Sequence, residues 1–259
     1  MSTSALPAWI DLDGAYNVRD LGGLPARDGV TRSGVLLRAD ALDTLTEADV
    51  ARLVDELSLA HVFDLRSQAE REQRGRGRLG GTGVVYSELE VISNDDVQRR
   101  RDERFAAFAS GGVPEEILAL GYIELLELGG PAFATALARL VEPGGTPALV
   151  HCAAGKDRTG VLVALLLHAA GVDRDAIVAD YAATQERMAP IIARLASAEA
   201  YQEMAEQVPA FVFEARAGTM DQFLAILEER WGGAAGFFAA NGAPPALVDE
   251  WRATFIAVP

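Results

Sequence analysis

The chain of 259 residues carries 23 basic and 38 acidic side chains, a formal net charge of −15 at neutral pH, with half of its residues apolar and 24% charged. Those proportions exclude an intrinsically disordered chain, and so negative a surface excludes non-specific nucleic-acid binding, because a phosphate backbone would be repelled. The single cysteine excludes an intramolecular disulfide framework, and with only three histidines (His61, His151, His168) no structural zinc or other metal site is expected.

Met1 to Asp11 has neither a basic leader region nor a long apolar run, so no signal peptide is expected there. Thr46-Glu47-Ala48-Asp49 has the form of a capped helix start, and Val50, Leu53, Val54 and Leu57 follow at amphipathic spacing. His61 to Leu65 predicts a buried strand and Val84 to Tyr86 another. Glu115 to Leu128 and Ala132 to Val141 predict two helices separated by a turn at Gly129 to Pro131, the second with Phe133, Leu137, Leu140 and Val141 on one face. Pro147 to His151 predicts a short strand, and Thr159 to Ala170 a helix buried on most sides and closed by Gly171. The longest strongly apolar run, Thr159 to Val172, is 14 residues, short of the roughly 20 a membrane span needs, so no integral membrane association is expected. From Asp173 onward only helices are predicted, including Thr219 to Trp231 with Thr219 and Gln222 as a capping box.

Strands that alternate with helices predict an α/β fold. A central, mainly parallel sheet is flanked by helices and followed by a helical C-terminal elaboration. No linker divides the chain, so residues 1–259 form one domain in this reading.

The chemistry concentrates in His151-Cys152-Ala153-Ala154-Gly155-Lys156-Asp157-Arg158-Thr159-Gly160. The only cysteine and the only lysine lie four positions apart; the remaining basic residues are all arginine. A predicted strand ends at Cys152, small residues follow, and a predicted helix begins near Arg158. That order builds an anion cradle, in which loop amides point inward and a helix N-terminus adds partial positive charge. Ala153, Ala154 and Gly155 leave room for close approach to the backbone. The same setting favours the thiolate of Cys152, which can attack phosphorus in line. Arg158 offers bidentate donors to two phosphoryl oxygens, Thr159 offers a hydroxyl to the sulfur, and His151 orients the loop.

This segment resembles the phosphate-binding loop of the Cys-dependent protein tyrosine phosphatase superfamily, and within it the tyrosine-specific phosphatase family of the mycobacterial PtpB type. Supporting segments are Asn17-Val18-Arg19-Asp20-Leu21-Gly22-Gly23, Arg32-Ser33-Gly34 through Arg38-Ala39-Asp40, Phe63-Asp64-Leu65-Arg66-Ser67 and Asp180-Tyr181-Ala182-Ala183-Thr184. The resemblance implies a phosphatase-type α/β fold and a phosphocysteine intermediate. It also implies activity on phosphotyrosine, and by extension on phosphoserine, phosphothreonine or phosphoinositides, without a cofactor. It further suggests a helical lid over approximately residues 185–215, although the helical face of Met188, Ile191, Ile192 and Leu195 also reads as core packing.

Two carboxylates compete for the general acid that such chemistry needs: Asp157 inside the loop, and Asp64 at the end of a predicted strand. Lys156 has two readings, as a charge on the pocket rim that meets a second phosphate or as a partner that balances Asp157. Ala153 departs from the two-lysine pattern of phosphoinositide loops. Arg19 and Asp20 are expected to pair in a turn under the site. Expected partners are phosphorylated proteins or phosphoinositides, and the expected location is the cytoplasm, with secretion by a non-classical route also compatible with the family. Two rivals share the loop: a phosphate-binding module without turnover, and a sulfurtransferase, which Lys-Asp-Arg-Thr fits less well.

Overall fold

The computed structural model describes residues 8–196 and 209–258. Among these residues the short strands are β1 (Ala8–Trp9), β2 (Arg19–Asp20), β3 (Pro25–Ala26), β4 (Gly29–Thr31), β5 (Leu36–Ala39), β6 (His61–Asp64), β7 (Val85–Glu88), β8 (Ala148–His151) and β9 (Ile256–Ala257). Helices follow as α1 (Glu47–Ala51), α2 (Gln68–Arg74), α3 (Asn94–Ala109), α4 (Pro114–Val141), α5 (Asp157–Ala170), α6 (Arg174–Ala183) and α7 (Met188–Ala196). Beyond 208 they are α8 (Ala217–Trp231), α9 (Ala234–Ala240) and α10 (Pro245–Phe255).

Six strands form the main sheet in the order β1-β2-β5-β8-β6-β7. The four from β5 to β7 are parallel, and β1 and β2 extend one edge in antiparallel pairing. This is the expected α/β architecture. Every residue of β5, β6 and β8 is buried, as a sheet covered on both faces requires. Alternation divides the strands between two cores. Leu36, Phe63, Ala148 and Val150 face a large core built with α4, α5, α8, α9 and α10, whereas Leu37, Ala39, Val62 and Leu149 face a smaller one with Leu42, Leu45 and Leu53. Burying each large side chain contributes roughly 1.5–3 kcal/mol.

Several sequence expectations need correction. The two helices predicted around Gly129 to Pro131 are one, α4, with Pro131 inside it. The two glycines mark close packing here: a Cβ on Gly129 would lie 2.6 Å from Val91, and one on Gly130 would lie 2.0 Å from the Asn241 side chain. Packing of a continuous apolar face therefore outweighs the backbone bond lost at the proline. By length and composition α4 would cross a membrane, but 61% of its most apolar window is buried within the protein. Helix α8 begins at Ala217, with Arg216 as its N-cap and no side-chain cap, so Thr219 sits buried in the first turn. The segment after Asp173 also holds a strand, β9, which pairs with β4. The Thr46–Asp49 capping box forms as expected.

Candidate active site

β8 lies between β5 and β6, so its C-terminal end opens at the centre of the parallel strands, where sheets of this class place ligands. Cys152 is the first residue beyond β8. It is buried as a free thiol. The chain then turns through residues 153–156 into α5, whose first residue is Asp157.

What shapes the loop is the way its carbonyls are held from behind. The Ala153 oxygen accepts from Ala41 N (3.1 Å) and from Arg194 Nη2 (3.2 Å). Asn17 Nδ2 donates to the oxygens of Ala154 (3.3 Å) and Gly155 (3.1 Å), and Arg38 Nη2 donates to Gly155 O at 2.6 Å. In a trans peptide the N–H points opposite to the C=O. Three carbonyls drawn back therefore turn the amides of Ala154, Gly155 and Lys156 forward, adjoining the N-terminus of α5. Gly155 has φ +68° and packs its backbone against Ala39, where a Cβ would lie 2.4 Å from the carbonyl oxygen. Only glycine suits that position.

The tethers themselves are anchored. Asn17 Oδ1 accepts from Arg19 Nη1 at 2.5 Å. Arg19 and Arg38 grip the two oxygens of buried Asp180 at 2.7 and 2.5 Å. The expected Arg19–Asp20 pair is thus replaced by Arg19–Asp180, while Asp20 accepts from the amides of Gly22 and Gly34. Burial and the neighbouring Arg38 push the Arg19 guanidinium down to about 10. Asp40 accepts from Tyr16 N and Asn17 N and pairs with Arg194 at 2.9 Å. The segments singled out around residues 17–23, 38–40 and 180–184 converge here, behind the loop.

Arg158 is gripped by a residue that the sequence reading missed. Its Nη1 and Nη2 meet Glu70 Oε2 and Oε1 at 2.5 and 2.9 Å. Ser67 caps α2 and its amide donates to Glu70, a capping box visible in the sequence as Ser67-Gln68-Ala69-Glu70. Burial acts to raise the Glu70 carboxyl, but Arg158 and the Ser67 bonds outweigh it and hold the group at about 2.

Lys156 turns inward, not to the rim. Its buried Nζ lies 2.8 Å from Asp157 Oδ1 and donates to Glu214 O at 3.3 Å. Burial works against its charge, yet Asp157 prevails and raises the ammonium above its ordinary value. Asp157, with its side chain 41% exposed, also accepts from Tyr122 Oη at 2.6 Å. Thr159 Oγ1 is fully buried and has no hydrogen-bond partner among the described residues, so the expected bond to the sulfur is not formed. Gly160 packs at the start of α5 against the ring of Tyr181. His151 Nδ1–H donates to Cys152 O at 3.2 Å, and burial lowers the pKa of the imidazole.

Asp64 is fully buried. Both its oxygens accept from Arg66, at 2.7 to 3.1 Å, and His151 Nε2 lies 3.7 Å away. Burial would raise the Asp64 carboxyl; His151 and Arg66 overcome it and hold the group at about 2. A carboxylate with a folded pKa below the unfolded value of about 3.9 stabilises the fold at neutral pH, and loses that contribution as pH falls through the folded value. The shift is worth roughly 2 kcal/mol. Denaturant titrations should show the protein losing stability between about pH 4 and 2. Asp64→Asn should flatten that acid limb and cost about 3–5 kcal/mol at neutral pH by leaving Arg66 buried without its counter-ion. An unchanged acid limb in the variant would contradict the assignment.

Of the predicted lid, α7 is described, and residues 197–208 lie outside the described residues. Met188, Ile191 and Leu195 of α7 pack with Ala153, flanked by Tyr16, Ala154, Ile192 and Phe213. That apolar face is seated on the loop itself. Among the described residues no group of three or more His, Cys, Asp or Glu side chains could hold a metal ion.

The model of the tyrosine phosphatase family matches residues 10–257. The triple specificity protein phosphatase PtpB of Mycobacterium tuberculosis is 29% identical, over 95% of this chain and 98% of its own length. A Cupriavidus necator protein whose name places it among the tyrosine-protein phosphatases is 32% identical, over 85% of this chain and 79% of its own. A tyrosine-protein phosphatase of Nostoc commune is 32% identical over 62% of this chain and 53% of its own. A match that runs from before the first tether to the last strand, with the cysteine loop inside it, leaves one assignment: the chain belongs to the tyrosine phosphatase family.

Proposed function

We propose that this phosphatase cleaves phosphate monoesters through a phosphocysteine on Cys152, with phosphotyrosine as its principal substrate. The observation that carries the reading is the row of three drawn-back carbonyls, which turns successive amides the other way in the loop that follows the thiol. In the first step the Cys152 thiolate attacks phosphorus, the ester P–O bond breaks, and the leaving phenoxide takes a proton from the Asp157 carboxyl. In the second, water attacks the phosphocysteine and gives its proton to the Asp157 carboxylate. The S–P bond breaks, releasing phosphate and restoring the thiolate. Arg158 and the loop amides bind the phosphoryl oxygens in both steps.

Asp157 is preferred to Asp64 because it stands at the loop and is part exposed, whereas Asp64 is enclosed and held ionised by Arg66. The inward turn of Lys156 and the apolar residues against Ala153 and Ala154 favour an aromatic phosphate over a multiply phosphorylated headgroup. Phosphoserine and phosphothreonine are secondary substrates in this reading. Acid-quenched turnover of a phosphotyrosine peptide, analysed by mass spectrometry, should place one phosphoryl group on the peptide that contains Cys152. Turnover without that adduct would overturn the mechanism; tight binding without turnover would support a silent binding module instead.

A further inference from the structure

We infer that Tyr122, backed by Tyr181, is a positioning residue that fixes the Asp157 carboxylate for proton transfer; this rests on the assignment of Asp157 made above. Tyr122 belongs to α4 and Tyr181 to α6, and neither touches the cradle in sequence. Both hydroxyls are buried, and they meet each other at 2.7 Å. Tyr122 then donates to Asp157 Oδ1, the same oxygen that Lys156 approaches. One carboxylate oxygen is thereby held by two donors from the protein side, on a carboxyl that is part exposed. Such an arrangement stabilises the charged form and fixes the rotamer.

The donor is a fixed one. Burial, and then the Asp157 charge, push the Tyr122 hydroxyl well above its ordinary value, so it keeps its proton throughout the working range. Among the described residues, the charged and titratable groups that act on this cluster include Lys156 and Cys152 from the loop, Tyr181 from α6 and Arg38 from β5. From α8 the neighbour is the uncharged ring of Phe223, edge-on to Tyr122. A tyrosine used only for packing would not need its hydroxyl aligned on a part-exposed carboxylate.

The direction of the effect follows. Activity falls at high pH when the general acid loses its proton. Removing a donor to the carboxylate raises the pKa of the acid, so the basic limb moves to higher pH. In the full-length protein, kcat on a phosphotyrosine peptide should be followed from about pH 4 to 9. Tyr122→Phe should move the basic limb up by about one pH unit and leave the acid limb in place. Tyr181→Phe keeps the direct bond to Asp157 and should move the limb the same way by less. A folded Tyr122→Phe protein with an unmoved basic limb would overturn the inference; should Tyr122→Phe fail to fold, a folded Tyr181→Phe protein at the wild-type limb would overturn it. Asp157→Asn separates the two levels. Loss of the basic limb in that variant upholds Asp157 as the acid whatever Tyr122 does, whereas its survival removes the reading on which the inference stands.

Discussion

Cys152→Ser is expected to reduce hydrolysis of phosphotyrosine peptide by at least about four orders of magnitude. The substitution is close to isosteric in a buried position between β8 and the loop, so folding should survive it. The cradle should survive as well, because its amides are oriented by the bonds to Ala153, Ala154 and Gly155, none of which involves the sulfur. What disappears is the sulfur that attacks phosphorus in the proposed mechanism; a serine hydroxyl without an adjacent base is a far weaker nucleophile. Measured kcat should collapse while vanadate or phosphate still raises the melting temperature. Retained turnover would show that another group attacks phosphorus.

Arg158→Lys should lower kcat by about 10²–10³-fold. The reason is geometric. Glu70 engages Nη1 and Nη2 together, which orients the guanidinium plane before substrate arrives. A lysine offers one point charge and cannot satisfy Glu70 and two phosphoryl oxygens at once. The effect should fall mainly on kcat, because the donors matter most as charge spreads over the equatorial oxygens in the transition state. The Glu70 carboxyl, released from its bidentate partner, should also rise from about 2 toward the ordinary range. Steady-state kinetics with the folded variant decides the point: a loss under about tenfold would mean that the amides alone carry the phosphoryl group.

The loop was legible because its information is local. Strand, small residues, Lys-Asp-Arg-Thr and helix lie within a dozen positions, and short range is where spacing speaks. The parallel sheet was legible for the same reason, from alternating strand and helix periods. Sequence could not separate Asp157 from Asp64, since both are carboxylates near the correct edge. The preference proposed above for Asp157 rests on Arg66, two residues beyond Asp64, and on whether it folds back. It does. Lys156 had two readings, rim charge or partner of Asp157, and spacing could not choose between them; the 2.8 Å pair with Asp157 and the bond to the 214 segment favour the second. Tyr122 sits in the middle of an apolar helix, indistinguishable from core until its hydroxyl is found on Asp157. Glu70 could have been found, as its capping box is written in the sequence, but nothing there names Arg158 as its partner. Gly129 to Pro131 misled because glycine and proline punctuate chains locally, while the packed partners that keep α4 continuous lie far away in sequence.

The bonds behind the cradle join distant parts of the polypeptide: 117 residues separate Arg38 from Gly155, 138 separate Asn17 from Gly155, and 161 separate Arg19 from Asp180. A ribosome that has released the chain through Arg158 has delivered Cys152, Asp157 and Arg158, the three groups of the proposed mechanism. It has not delivered Asp180, which holds Arg19 and Arg38 together, or Arg194, which braces Ala153. Contacts of such high sequence separation form late, after the intervening chain has closed on itself. In the proposed mechanism the unfinished polypeptide would therefore have its reactive groups without their alignment, and activity is expected only from chains that include Asp180 and Arg194.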